Sequence, residues 1–144
     1  MNGRGPLAFG VLLTMAGCVR PSGGASSAEE LATRLQDALY RRDGAAVRAL
    51  VYKAQGQTVD SPDLLKILDR DMRLRVRQIT VATASSPESF EYTRKGTRFG
   101  PALPPTHTLV VTFEPHDGLA TDGDTYAVGE KDGRYYLTLP VAKP

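Results

Sequence analysis

Apolar residues recur first at helical spacing and then at alternating spacing, and the change comes once, near residue 73. Leu31, Leu35 and Leu39 repeat every four residues, with Ala32, Ala38 and Tyr40 widening the stripe, which predicts an amphipathic helix. Ser27 precedes it, and Glu30 follows three residues on. That is a capping-box pattern: the hydroxyl takes an orphan amide and the carboxylate reaches back. Arg41 and Arg42 suit the negative end of the helix dipole, and Asp43-Gly44 breaks the helix. A second, short helix is expected over 45–51, with Val47, Leu50 and Val51 apolar. Pro62 after Ser61 opens a third helix, at the position where a missing amide costs nothing. Leu64, Leu65, Leu68 and Met72 share its face, and it is expected to run to about Arg73.

From there the period is two. Leu74, Val76, Ile79 and Val81 form a strand whose alternation slips at Gln78, as a bulge would make it. Ser85-Ser86-Pro87 turns, and Phe90 and Tyr92 suggest a short strand ended by Arg94-Lys95-Gly96. Residues 100–105 carry three prolines and are expected as a loop or an edge crossing. Residues 106–114 make the best strand, with Leu109, Val111 and Phe113 on one face and His107 on the same side. Residues 115–124 read as a polar loop. Residues 125–130 and 134–139 form a hairpin around Lys131-Asp132-Gly133, where Gly133 can take a positive φ. Helices followed by an antiparallel meander argue an α+β domain, with the helices covering one face of a curved sheet.

The first residues follow another logic. Arg4 supplies a positive start, residues 7–13 an apolar middle, and Ala16-Gly17 a small-residue approach to Cys18. The uncharged window from Arg4 to Arg20 is too short for a spanning helix, which needs roughly 20 apolar residues. Met15-Ala16-Gly17-Cys18 resembles the lipobox of bacterial lipoproteins, with Met15 where leucine is usual. The resemblance implies cleavage before Cys18, a thioether-linked diacylglycerol on its sulfur, and a cell-envelope location. In a source with two membranes, Val19 after the cysteine implies the outer membrane, facing the periplasm. Residues 1–17 are thus a signal peptide and residues 18–27, rich in Gly, Ser and Ala, a flexible tether. Residues 28–144 are the single α+β domain.

Residues 28–140 resemble the cone-shaped superfamily named after nuclear transport factor 2, which includes polyketide cyclases, ketosteroid isomerase and many exported lipoproteins. The likeness rests on the opening helix followed by Arg42-Asp43-Gly44-Ala45-Ala46-Val47, and on the closing Lys131-Asp132-Gly133-Arg134-Tyr135-Tyr136-Leu137. Catalytic members carry acidic or histidine residues inside the cone. No such motif matches here residue by residue, so no active site is carried over. The same order of elements also suits a cystatin-like sheet wrapped on a helix.

Composition narrows the function. The formal net charge of +2 argues against a nucleic-acid binder driven by bulk charge. Cys18 is the only cysteine, so no internal disulfide, cysteine-based zinc site or free-thiol catalysis is available once it is lipidated. Arg70, Arg73, Arg75 and Arg77 form a basic run; a solvated face is the plain reading, contact with an anionic envelope surface the sharper one. Asp60, Asp63, Asp69 and Asp71 reduce its field. Asp117, Asp122 and Asp124 do not fit the calcium-loop spacing, and extended chain would hold His107 and His116 too far apart for one metal. Tyr126, Tyr135 and Tyr136 suit sheet packing, a cavity lining or an interface. No catalytic residue, metal or cofactor is expected. His107, Leu109, Val111 and Phe113 are the expected lining of whatever apolar cavity the domain holds. Three readings follow: a tethered, non-catalytic domain binding a small apolar ligand or an envelope protein, a small lyase or isomerase using the same cavity, or a structural envelope component.

Overall fold

The computed structural model describes residues 23–54, 61–84, 86–115 and 123–144. Among the described residues three α-helices come first: α1 (Ala28–Arg41), α2 (Gly44–Leu50) and α3 (Pro62–Asp69). Each is capped by the side chain before it. Ser27 Oγ accepts from the Glu30 amide at 3.0 Å, Asp43 from the Ala46 amide at 3.0 Å, and Ser61 from the Leu64 amide at 3.2 Å. The capping box closes one residue earlier than expected, because the Glu30 carboxylate takes the Ser26 amide at 2.7 Å rather than that of Ser27. Arg42 ends α1 in the left-handed conformation. The third helix stops at Asp69, short of the expected Arg73, and a single 3₁₀ turn over Asp71–Arg73 carries the chain into the sheet.

Seven antiparallel strands follow among the described residues: β1 (Val76–Thr83), β2 (Tyr92–Arg94), β3 (Thr97–Pro101), β4 (Pro105–Phe113), β5 (Gly123–Lys131), β6 (Arg134–Leu137) and β7 (Pro140–Ala142). They make a four-stranded sheet in the order β1-β4-β5-β6 and a three-stranded one in the order β2-β3-β7. The sheet curls into a half-barrel over the helices, so the α+β class read from the sequence stands. The β1 register steps from Val76 opposite Phe113 to Gln78 opposite Thr112, leaving Arg77 as the bulge. Asp132 and Gly133 take φ of 52° and 75° in the closing hairpin.

Two strands were not expected. Phe90 lies in a 3₁₀ turn (Pro87–Phe90), not in a strand, while 97–101 and 140–142 pair with each other. Pro101 and Pro140 sit opposite one another at strand ends, where a missing amide interrupts little of the ladder. The two sheets meet where Leu103 crosses Gly129. A Cβ at Gly129 would stand 2.5 Å from the Leu103 Cβ, so only glycine permits the approach. Thr138 Oγ1 accepts from the Leu103 amide at 2.7 Å and fixes the crossing.

The core is one cluster. α1 packs on β1 and on β6, the two outer strands of the larger sheet, and so lies across its inner face. Leu31, Leu35 and Leu39 of α1 are buried with Leu109, Val111 and Phe113 of β4 and with Val128 and Leu137. Burying each such side chain contributes about 1.5–3 kcal/mol.

The tether is corrected at its far end. Ala25 is 0% exposed and belongs to the core, and its backbone pairs with Tyr135, donating and accepting at 2.9 Å. Arg134 holds the Gly23 carbonyl at 2.7 Å and the Gly24 carbonyl at 2.9 Å. Gly24 has φ of +64°, and a Cβ there would meet the Tyr136 ring at 2.7 Å. The described chain from Gly23 onward is therefore docked on the domain, and it caps the β6 edge of the sheet.

Candidate functional site

The strongest polar feature lies where α3 runs into the sheet. Asp71 is 0% exposed. The Tyr126 hydroxyl donates to Asp71 Oδ2. The Arg70 guanidinium sits between two carboxylates, Nε 3.2 Å from Asp71 Oδ1 and Nη2 2.7 Å from Asp124 Oδ2. Lys66 Nζ stands 3.1 Å from the other Asp124 oxygen. Three residues of helix and turn, Lys66, Arg70 and Asp71, are thereby tied to one end of β5. Burial pushes the Asp71 carboxyl from 3.8 up to about 6. The Tyr126 hydrogen bond and the Arg70 charge pull it back, and the Asp124 carboxylate adds to the rise. The Tyr126 phenol is itself raised, by burial first and then by Asp71.

A cleft of about 110 Å³ opens beside this network, lined by Asp63, Lys66, Phe90, Asp124, Tyr126 and Leu139 among others. A carboxyl poised near neutrality beside a phenol is acid–base equipment. Asp71 is sealed behind Tyr126, and the cleft falls below the roughly 300 Å³ of an ordinary small-molecule site. The network locks α3 onto β5.

A larger concavity lies between α1 and the start of β1. Two adjoining hollows of about 330 and 280 Å³ share Tyr40 and Val76 and make one groove between the outer flank of α1 and the start of β1. Leu39, Leu74 and Val76 form its apolar floor, and Arg42, Arg73 and Arg75 its rim at one end. Tyr40 stands over it 83% exposed, the most exposed of the large apolar side chains described.

The residues expected to line a cavity are placed as follows. Leu109, Val111 and Phe113 face inward but are packed in the core and line neither the cleft nor the groove. His107 is on their side of β4, half-buried, its ring edge-on to Tyr135 with centroids 5.8 Å apart and Nδ1 3.0 Å from Thr106 Oγ1. The basic run splits. Arg70 turns to Asp71 and Asp124. Arg73 pairs with Asp69 at 2.8 Å and Arg75 with Glu114 at 3.8 Å, both on the groove side. Arg77 is exposed in the bulge with no ion pair among the described residues. Tyr126 belongs to the polar network, and Tyr136 packs edge-on against Tyr52 at 5.6 Å. Asp124 is neutralised by Arg70 and Lys66, while His116, Asp117, Asp122 and Cys18 lie outside the described residues. The Asp71 network had not been expected from the sequence. No protein-family model matches the chain, and neither a curated protein nor a solved structure does.

Proposed function

We propose that this is a lipid-tethered protein of the bacterial cell envelope whose domain binds a macromolecular partner at its surface and catalyses no reaction. We assign the domain to the lipoprotein branch of the cone-shaped superfamily. The observation that carries the binding reading is the filled interior. In a catalytic cone the inner face of the sheet lines a cavity; here Leu109, Val111 and Phe113 are 0%, 0% and 1% exposed. Among the described residues the one fully buried acid is Asp71, and Tyr126 and Arg70 hold it. The sealed Asp71–Tyr126 pair is what favours the rival lyase or isomerase reading, and its lack of access is what weakens it. A small apolar ligand is disfavoured by the size of the cleft.

The lipid reading is supported by the spacing of the leader and by Cys18 as the only cysteine. Only residues 18–22 separate that sulfur from the docked Gly23, so the domain rides close to the bilayer, within about 17 Å at ~3.5 Å per residue. Cys18→Ala is expected to abolish the lipid mass increment and to move the protein out of the membrane fraction. Unchanged mass and unchanged fractionation would show that no lipid anchor exists.

A further inference from the structure

The two edges of the larger sheet are treated differently. At β6 the backbone is covered, by Ala25 paired to Tyr135 and by Val51 bridged to Leu137. At β1 no described strand pairs on the outer side. The direction of its amides follows from one bond: Ala84 donates to Thr106 at 3.2 Å across the β1–β4 ladder. By the period of two, Ala82, Thr80 and Gln78 turn their amides to β4 as well, and Ile79, Val81 and Thr83 turn theirs outward. An open row of donors and acceptors is a template for another strand.

Beside this edge runs the groove with its exposed Tyr40 and apolar floor. Around it stand Arg42, Arg73 and Arg75, and Arg77 follows in the β1 bulge, all exposed. The strand itself, Val76–Thr83, contains no acid. Asp69 and Glu114 answer two of the arginines, but through solvent-exposed pairs, which hold little and exchange readily. Asp37, at the far end of the groove, is taken by Arg41 at 2.9 Å. Bulge and charges keep a second basic edge away, since like charges would meet; they favour an acidic one.

We infer that the β1 edge and the Tyr40 groove form a docking site for an acidic, extended peptide segment of a partner protein, which adds a strand to β1 and places an apolar side chain in the groove. Main-chain hydrogen bonds supply affinity and alternate side chains supply selectivity, as in other strand-addition sites. The inference rests on the partner-binding reading above and not on the lipid anchor.

The test is titration of the full-length chain in detergent with a short synthetic peptide alternating glutamate with valine and leucine. One control carries lysine for glutamate. A second is N-methylated on alternate amides, which keeps the charge and removes the ladder. The acidic peptide is expected to bind, the lysine peptide about tenfold or more weakly, and the N-methylated peptide not measurably. Arg75→Glu with Arg77→Glu should weaken the acidic peptide about tenfold, and raised salt should weaken it in the parent. Thr83→Pro removes one outward donor at an exposed position and leaves the β4 ladder intact, so it too should weaken binding. Equal binding of the three peptides, indifference to the arginine substitutions, or no binding overturns the inference. So does a homodimer that Thr83→Pro returns to monomer, because the occupant would then be a second copy. Such failures leave the partner-binding reading standing if a partner is found at another face.

Discussion

Replacing Phe113 by alanine is expected to cost about 3–5 kcal/mol of unfolding free energy, the range for truncating a buried aromatic ring that the surroundings cannot refill. Phe113 is 1% exposed on β4, the strand held between β1 and β5. Opposite it on β1 is Val76, and Leu35 and Leu39 of α1 belong to the same buried cluster. Helix and sheet are both anchored in the core, so little can collapse into the void. A ring that lined an open cavity would behave otherwise. Part of it would face solvent in the parent, and its loss would cost well under 2 kcal/mol. Urea denaturation of the parent and Phe113→Ala decides between them. A loss below that level would mean an open interior, and the enzyme reading would return.

The second large effect is one of pH, carried by Asp71. Its carboxyl is raised from 3.8 to about 6 in the folded protein, chiefly by burial. Between those values the folded state holds a proton that the unfolded chain has released. Stability from this group is therefore complete below pH 3.8 and is lost as pH rises through about 6. At ~1.4 kcal/mol per pH unit, the loss across that window is about 3 kcal/mol. Asp71→Asn cannot titrate and lacks that slope. The stability of the parent minus that of Asp71→Asn should fall by about this amount between pH 4 and pH 7, whatever constant offset the amide introduces beside Arg70. Parallel curves would mean Asp71 does not change charge in this range. A difference that grows with pH would mean the Arg70 ion pair outweighs burial and keeps the carboxylate ionised.

Several of these features were legible in the residues. Leu31, Leu35 and Leu39 with Ser27 before them specify α1 and its cap, because spacing and capping chemistry agree. The slip at Gln78 foretold the bulge, and alternation along β4 placed His107 on the inner side. The short strands were not legible. In β3 only Phe99 carries apolar mass, and its ring stacks on Tyr92 at 5.2 Å instead of joining the main core. The docking of Gly23 to Ala25 was hidden for a different reason. It depends on backbone carbonyls held by Arg134 and on the smallness of Gly24, and small polar residues read as tether. Asp71 did leave a signal. It follows Leu64, Ile67 and Leu68 at helical spacing, so an acid lies on an apolar stripe, and such an acid must find partners. One partner, Arg70, is its neighbour in the chain; the other, Tyr126, comes from a strand more than fifty residues away, and no local pattern links the two.

As proposed above, this domain acts by holding a partner at its surface along α1 and β1. The most direct measurement is photo-crosslinking in intact cells, with a benzophenone amino acid placed in turn at Tyr40, Leu65 and Tyr92, three exposed apolar positions on different elements. The expected result is one discrete protein adduct from position 40, lost when Arg75→Glu and Arg77→Glu are added, and none from position 65. No adduct from any of the three positions, or the same diffuse labelling from all of them, would contradict the claim.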